Sequence, residues 1–364
     1  MVRLAGKLNA LRSIPRDALL GQAFARETIA FSRSPAIHRS PMNLRPQVFV
    51  TRQIPRSGIE LLEGHFEVDV WQGEMPPSRH DLFIRSKGVT GLLTLLSDQI
   101  DGELMDAAGG ALRGIANFAV GFNNIDVQEA KRRSIAVGNT PDVLTDATAD
   151  IAVGLVMAAA RRFQESIDQV RDLQWKTWEP LGLLGQDLTG KTLGIIGMGR
   201  IGAAVAKRLV GGWDMKLLYT ARGDKPRIDA TWGGRRVTLE ELLASSDVVS
   251  VHTDLNPSTK HLINRQTLAK MKKSAVLVNT SRGGIIDQDA LHEALLSGTI
   301  FAAGLDVTDP EPLPATSRLR ELENCTILPH IGSATFDARN RMSIMAAENL
   351  IAAAKGQPMP HAVT

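Results

Sequence analysis

The feature that most constrains this chain is a glycine-spaced turn between an apolar strand and a helix. Residues 192–196 are β-rich, and Gly197, Gly199 and Gly202 follow at a G-x-G-x-x-G spacing that opens a helical run. In such a turn the first glycine permits the sharp bend, the second lets the backbone approach a pyrophosphate, and the third lets helix and strand pack closely. The correct flanks on both sides make this match stronger than the spacing alone, and they predict a dinucleotide-binding α/β unit.

The rest of the chain from residue 47 alternates short β-rich runs with helical stretches, which is typical of α/β folding. Strands are predicted near 48–51, 66–71, 92–95, 112–116 and 136–138, and after the turn near 192–196, 216–219, 247–251, 275–279, 302–307 and 325–329. Helices are predicted at 98–108, from the Asp126/Glu129 capping box, and at 146–162. We therefore expect a Rossmann-like doubly wound parallel sheet and a second, flavodoxin-like α/β domain.

Domain boundaries follow from the same pattern. The cofactor-binding domain is predicted over residues 149–330. The second domain is predicted to be discontinuous, formed by residues 47–148 and 331–364, because the Ala-rich closing helix should pack back on the first unit.

The charge is unevenly distributed. Residues 1–46 carry a net +6, so the total of +3 leaves a net −3 for residues 47–364, which gives no support to nucleic-acid binding by the body. The Arg-rich, acid-poor extension suits a mitochondrial transit peptide, but a disordered leader and a start at Met42 stay open. We predict a cytosolic protein, with the mitochondrion as the alternative.

Other bulk features narrow the class further. No apolar run approaches the ~20 residues of a membrane-spanning helix, so no membrane association is expected. The single cysteine, Cys325, excludes an internal disulfide and lies in an apolar run, which predicts a buried, inert thiol. The histidines show no metal-site spacing, so we predict no metal.

The end of the second strand after the turn indicates which cofactor is bound. A site selective for NAD places Asp or Glu there for the ribose 2′-hydroxyl, whereas here Thr220 is followed by Ala221 and Arg222. A guanidinium can bind a 2′-phosphate through two charge-assisted hydrogen bonds, and Lys225 and Arg227 are available to assist. The sequence favours NADP (as NADPH) over NAD. The alternative is a merely solvated Arg222, with Asp224 serving NAD from a shifted loop.

Three chemically active side chains follow later strand ends, where ligands bind in such sheets. Arg282 offers a planar fork to a carboxylate and a carbonyl oxygen, His330 can donate a proton, and Glu311 can orient the imidazole and favour its protonated form. Backbone N–H groups around Val120 and Gly121 are candidates for the other side of the carboxylate. This set fits the reduction of a small 2-oxo acid by hydride.

Taken together, these segments resemble the D-isomer-specific 2-hydroxyacid dehydrogenase family, and within it the glyoxylate/hydroxypyruvate reductases. The resemblance covers residues 47–358 and is carried by the glycine turn and by the segments at 48–52, 139–146, 280–283, 304–307 and 328–335. It implies a homodimer that reduces glyoxylate to glycolate or hydroxypyruvate to D-glycerate, with Arg282, Glu311 and His330 as the catalytic set.

The resemblance also implies further contacts. Asp306 would contact the nicotinamide carboxamide, and Trp178 looks like a tryptophan that lines the partner subunit's substrate pocket, the alternative being an ordinary interdomain tryptophan. Arg339 is expected near the mouth of the site. The full predicted cofactor set is Gly197, Gly199, Arg200, Ile201, Gly202, Thr220, Arg222, Asp306 and Ser333.

Two alternative functions stay open from the sequence. A non-enzymatic corepressor of the C-terminal-binding protein type uses the same fold to sense NAD(H), but the missing acidic 2′-hydroxyl acceptor and the Trp178 segment argue against it. Another dehydrogenase of the family is the second alternative. Formate oxidation has no use for Glu311, and phosphoglycerate needs extra cations and typically NAD.

Overall fold

Strands buried on both faces dominate the architecture, in keeping with their continuous apolar sequences. The computed structural model describes residues 45–363, so the predicted targeting extension, up to residue 44, lies outside the described residues. Within this range the strands form two entirely parallel sheets. The expected mixed α/β class is confirmed.

The first sheet has five strands in the order β2-β1-β3-β4-β5, the order expected for a flavodoxin-like unit. Its strands are β1 (Gln47–Val50), β2 (Glu67–Val70), β3 (Gly91–Thr94), β4 (Gly114–Asn117) and β5 (Ala136–Gly138). The connecting helices are α1 (Arg56–Glu63), α2 (Arg79–Arg85), α3 (Gly102–Ala108) and α4 (Val127–Arg132).

The second sheet has seven strands in the order β12-β11-β10-β9-β6-β7-β8. The order in which strands are added therefore reverses next to β6, as in a doubly wound nucleotide-binding fold. Its strands are β6 (Thr192–Ile196), β7 (Lys216–Thr220), β8 (Arg235–Arg236), β9 (Val248–Val251), β10 (Val276–Asn279), β11 (Ala302–Leu305) and β12 (Cys325–Ile327). Its helices are α5 (Thr145–Ala160), α6 (Phe163–Arg171), α7 (Arg200–Trp213), α8 (Pro226–Trp232), α9 (Leu239–Ser245), α10 (Arg265–Leu268) and α11 (Gln288–Leu296). The sequence predicted six of these strands and missed the two-residue edge strand β8.

The last helix, α12 (Phe336–Ala354), packs on the five-stranded sheet, as expected from the sequence. A Cβ on Gly114 of β4 would lie 2.7 Å from the Ala353 side chain, and one on Gly58 of α1 would lie 2.3 Å from the Ser343 carbonyl oxygen. Glycine at these positions therefore lets strand and helix approach α12 closely. None of the helices in residues 45–363 is long and apolar enough to cross a membrane.

One helix start and one capping box depart from the sequence expectation, whereas α4 begins at the predicted Asp126 cap. The helix predicted from residue 98 begins at Gly102, because Asp98 instead accepts hydrogen bonds from Thr51 Oγ1 and the Leu95 amide, and Asp101 caps the helix. At α4, Asp126 caps Glu129 N at 2.9 Å, but the Glu129 side chain pairs with Arg133 rather than completing a capping box.

Candidate active site

The glycine turn shows close contacts at two of its three glycines and open space at the third. Gly197 has φ +97°, and a Cβ there would lie 2.7 Å from the His252 backbone. A Cβ on Gly202 would lie 2.5 Å from the Gly197 carbonyl oxygen, so β6 and α7 are in close contact. At Gly199, by contrast, a Cβ would meet no atom within 4 Å. The space above Gly199 is therefore open to a phosphate group.

The first turn of α7 supplies the donors for that group. Gly199 is the N-cap, and the amides of Arg200, Ile201 and Gly202 come first in the helix, where no intrahelical acceptor exists. The Arg200 guanidinium turns to Asp142 at 2.7 Å, while Ile201 packs into the apolar core. Free amides at a helix N-terminus form an anion site, so the described residues fit a dinucleotide pyrophosphate.

Beyond β7, the loop that would face the adenosine ribose is held at both ends. The Thr220 carbonyl accepts from the amides of Gly197 and Met198, and the Tyr219 hydroxyl accepts from the Lys225 amide at 3.1 Å. Between these anchors Arg222 is exposed and, among the described residues, forms no hydrogen bond or ion pair. The Arg222 guanidinium is thus unpaired within the described residues, in the loop after β7 where the sequence predicted it.

The three proposed reactive side chains come together, although 48 positions separate Arg282 from His330. The His330 Nδ1 and Glu311 Oε2 atoms are 2.7 Å apart, and Glu311 Oε1 accepts from the Thr308 amide at 3.1 Å. The Arg282 loop packs directly on this segment, since a Cβ on Gly283 would lie 2.0 Å from the Thr308 carbonyl carbon. A guanidinium, a carboxylate and an imidazole thus share one rim of the sheet.

The electrostatics of the rim follow from that proximity. Burial raises the pKa of Glu311, but the hydrogen bond and charge of His330, the Thr308 amide and Arg282 together bring it below the ordinary value. Burial lowers the pKa of Arg282, and the negative charges of Glu311 and Asp254 oppose the change. Glu311 is therefore an anion at neutral pH, and because a carboxylate only accepts, His330 Nδ1 carries the shared hydrogen.

The loop after β4, which holds Val120 and Gly121, lies against Arg282. A Cβ on Gly121 would lie 1.7 Å from Arg282 Nη2, and Asn123 Oδ1 accepts from Arg282 Nε at 3.0 Å. The Val120 carbonyl accepts from Asn139 and the Gly121 carbonyl from Asn117, which fixes the loop. Among the described residues the amides of Val120 and Gly121 donate to no acceptor, so they are available to an anionic substrate.

Asp306 holds the loop that carries His330. It is 1% exposed, and its two oxygens accept from the amides of Ile331 and Gly332, each at 2.7 Å. Burial raises its pKa, partly offset by these bonds and by His330. His330 itself has φ +54°, an uncommon conformation that the Asp306 bonds on its C-terminal side help to hold. The nicotinamide contact predicted for Asp306 stays a prediction, as does a cofactor contact of Ser333, whose carbonyl accepts from Arg339 Nε at 3.3 Å.

Several residues of the site were not singled out from sequence. Asn123 and the buried Asn279 hold Arg282 by its side chain and its carbonyl, respectively. His252 lies behind the glycine turn, where burial lowers its pKa to about 3 and keeps it neutral. Only Asn279 carried a sequence signal, an amide at the end of a buried strand. The Cys325 thiol is buried as predicted, and burial raises its pKa to about 12.

Trp178 lies apart from the buried parts of this chain. It is 80% exposed and belongs to the continuously exposed stretch 171–182. This exposure gives the interdomain alternative no support, and the role in the partner's pocket stays a prediction.

Comparison with known proteins agrees with the fold. Residues 153–332 match the model of the D-isomer specific 2-hydroxyacid dehydrogenase NAD binding domain. A glyoxylate reductase of Korarchaeum cryptofilum is 48% identical over 321 residues, which cover 88% of this chain and 96% of the relative. The human glyoxylate reductase/hydroxypyruvate reductase is 47% identical over 316 residues, covering 86% of this chain and 96% of the human protein.

Two solved structures have a similar fold. A Thermus thermophilus protein matches with a TM-score of 0.82 and 46% identity, covering 87% of this chain and 100% of that one. The NADPH-dependent glyoxylate/hydroxypyruvate reductase of Sinorhizobium meliloti, solved with NADP and malonate, matches with a TM-score of 0.77 and 31% identity, covering 88% and 97%.

Proposed function

This chain belongs to the D-isomer-specific 2-hydroxyacid dehydrogenase family, and from that premise we propose that it reduces glyoxylate to glycolate and hydroxypyruvate to D-glycerate with NADPH. As a family member it is an NAD(P)-dependent 2-hydroxyacid dehydrogenase. Two relatives named for glyoxylate or hydroxypyruvate reduction are 47% and 48% identical over 96% of their own length, which supports the substrate assignment.

The observation that carries the proposal is the 2.7 Å pair of His330 and Glu311 on the rim that also holds Arg282. Arg282, together with the free amides of Val120 and Gly121, binds the substrate carboxylate and orients the carbonyl group. Because the Nδ1 atom of His330 is hydrogen-bonded to Glu311, the Nε2 atom is the one available to the substrate. The protonated His330 ring then donates its Nε2 proton to the carbonyl oxygen, which becomes the hydroxyl of the product, and the ring is left neutral with its hydrogen on Nδ1.

A nicotinamide cofactor, when bound, supplies the hydride that the carbonyl carbon accepts. The α7 N-terminus and Gly199 would hold its pyrophosphate, and Arg222 would take a 2′-phosphate. The exposed, unpaired state of Arg222 supports NADPH as the preferred form, since a carboxylate at this position would repel that phosphate.

We also propose that the protein works as a homodimer in which Trp178 reaches the partner's substrate pocket. Support comes from α6 and the chain after it, residues 163–184, which we call the apolar arm. Its exposed side chains include Leu173 (86%), Trp178 (80%) and Leu181 (82%). Apolar surface of this density marks an interaction site, and the oligomers of soluble proteins are most often symmetric dimers.

We propose the same two domains that were predicted from the sequence. Residues 47–148 and 331–364 form one domain, and residues 149–330 form the other. The two separate sheets and the packing of α12 on β3 and β4 support it.

The proposed reaction is tested by a steady-state panel of 2-oxo acids with NADPH and NADH side by side. We expect glyoxylate and hydroxypyruvate to be the best substrates, with a higher kcat/KM for NADPH. A His330→Ala control should bind NADPH normally but lose about 10² or more in kcat. Poor turnover of every 2-oxo acid would point instead to a sensor of the corepressor type.

The proposed dimer is tested by co-expressing two impaired variants. Trp178→Ala and His330→Ala should each be impaired, but a co-expressed heterodimer holds one site with both His330 and the partner's tryptophan, and activity should return in part. Sedimentation should give twice the mass of one chain. A monomer, or no complementation, would contradict the proposal.

A further inference from the structure

The edge strand β8 brings a second arginine to the loop after β7. In the sheet register Arg236 pairs with Tyr219, one residue before β7 ends. Its Nε donates to the Ala221 carbonyl at 3.1 Å and its Nη1 donates to Asp224 Oδ1 at 2.9 Å. One guanidinium thus bridges the residues on both sides of Arg222.

The partner of this bridge is the carboxylate that matters for cofactor choice. Asp224 is the one acidic residue in 220–225, and it is the group that could accept from a ribose 2′-hydroxyl and so favour NADH. An unpaired carboxylate near Arg222 would repel a 2′-phosphate and attract the Arg222 guanidinium. With Arg236 bound to it, Asp224 has its charge offset, and Arg222 has no ion-pair partner among the described residues.

The loop is also held in place mechanically. Arg236 fixes Ala221 and Asp224, while the Tyr219 hydroxyl donates to Asp229 and accepts from the Lys225 amide. Arg222 therefore projects from a short segment anchored at both ends. Such preorganisation lowers the entropy that phosphate binding would otherwise cost.

We propose that Arg236 is a positioning residue for cofactor specificity, which neutralises Asp224 and leaves Arg222 free for the 2′-phosphate. This rests on the proposed NADPH preference. The two are separated by measuring the wild-type protein first, since a wild type without that preference would overturn both, whereas a normal wild type with unresponsive variants overturns only the role of Arg236.

The test is Arg236→Gln, with Arg235→Gln as the matched control. Arg235 precedes it in the same strand but pairs with Glu241 and is 61% exposed. For Arg236→Gln we expect kcat/KM with NADPH to fall by about 3–5-fold through KM, as for loss of an interaction between exposed charges, with kcat changed little. With NADH, kcat/KM should be unchanged or higher.

A dead-end ligand reports on the phosphate site alone. The inhibition constant of 2′,5′-ADP should rise with the KM of NADPH, whereas that of 5′-AMP should stay constant. A structural defect would weaken both. Arg236→Lys should retain most of the preference.

Asp224→Asn in the Arg236→Gln background decides how Arg236 acts. If Arg236 works by offsetting Asp224, removing that charge should return the KM of NADPH to the wild-type value. Failure of this rescue, or an Arg236→Gln variant with the same cofactor ratio as Arg235→Gln, overturns the proposal.

Discussion

Replacing Gly121 by Ala should disable the site through Arg282 while leaving the fold almost intact. The added Cβ would lie 1.7 Å from Arg282 Nη2 and 2.7 Å from its Cζ. Ordinary contact begins near 3.4 Å, so the guanidinium must retreat by about 1.7 Å. It is the far end of a flexible side chain, so the movement should cost little stability, but it abandons the geometry that Asn123 helps to set.

The size of the effect follows from that displacement. A misplacement of ~1 Å at a reacting centre can cost about 10²-fold, and a larger one approaches complete loss of the interaction. We therefore expect kcat/KM for glyoxylate to fall by about 10²–10³, equivalent to about 3–4 kcal/mol of transition-state stabilisation.

The assay is steady-state reduction at saturating NADPH, combined with thermal denaturation. Gly110→Ala is the matched control, since a Cβ there meets no atom within 4 Å. The double variant Gly121→Ala, Arg282→Ala should be no slower than Arg282→Ala alone, because both changes remove one interaction. A Gly121→Ala enzyme within three-fold of wild type, or additive losses in the double variant, would refute this reasoning.

Three further outcomes follow from the same contacts. Because the fold lowers the pKa of Glu311, its contribution to stability should be present at neutral pH and be lost as acid protonates the carboxylate below its ordinary range. Glu311→Gln should therefore lose less stability than the wild type over that pH range in unfolding curves, and an equal loss in both proteins would contradict this. Arg222→Asp should lower the NADPH-to-NADH ratio of kcat/KM by ~100-fold or more, and an unmoved ratio would remove Arg222 from cofactor choice. Asp306→Ala leaves two amides without their acceptor, so chemical denaturation should show a loss of about 2–6 kcal/mol, and an unchanged midpoint would contradict its role as the loop's anchor.

The sequence predicted those parts of the fold that depend on local composition. Strands such as β9 and β10 are buried on both faces and read as continuous apolar runs, so their positions were found within a few residues. The strand β8 consists of Arg235 and Arg236 and has no apolar signal; it is formed only because β7 offers an edge. Asp98 was predicted to lie in a helix because its contact with Thr51, 47 positions away, is invisible in a local pattern.

The site divides in the same way. Arg282, Glu311 and His330 were recognisable because each follows a strand whose carboxyl end faces the ligand, a rule that needs only strand positions. The residues that hold them were not recognised in that role. Asn123 contacts Arg282 across 159 positions, and Asp306, which the resemblance named only as a nicotinamide contact, accepts from the Ile331 amide 25 positions away. Local sequence reasoning thus finds groups that act on a substrate more readily than groups that act on other residues.

The three reactive groups are held in place by contacts made outside the strands of the sheet. Arg282, Glu311 and His330 all lie on loops beyond strand ends, where backbone hydrogen bonding of the sheet no longer fixes them. Other contacts hold them in place. Asn123 and the Ser281 carbonyl hold the guanidinium, the Thr308 amide and His330 hold the carboxylate, and Asp306 holds the histidine loop. Because Asn123 follows β4 of the five-stranded sheet and Arg282 follows β10 of the seven-stranded sheet, the position of the guanidinium depends on both sheets together. Catalysis should therefore respond to changes between the sheets that leave cofactor binding to α7 untouched.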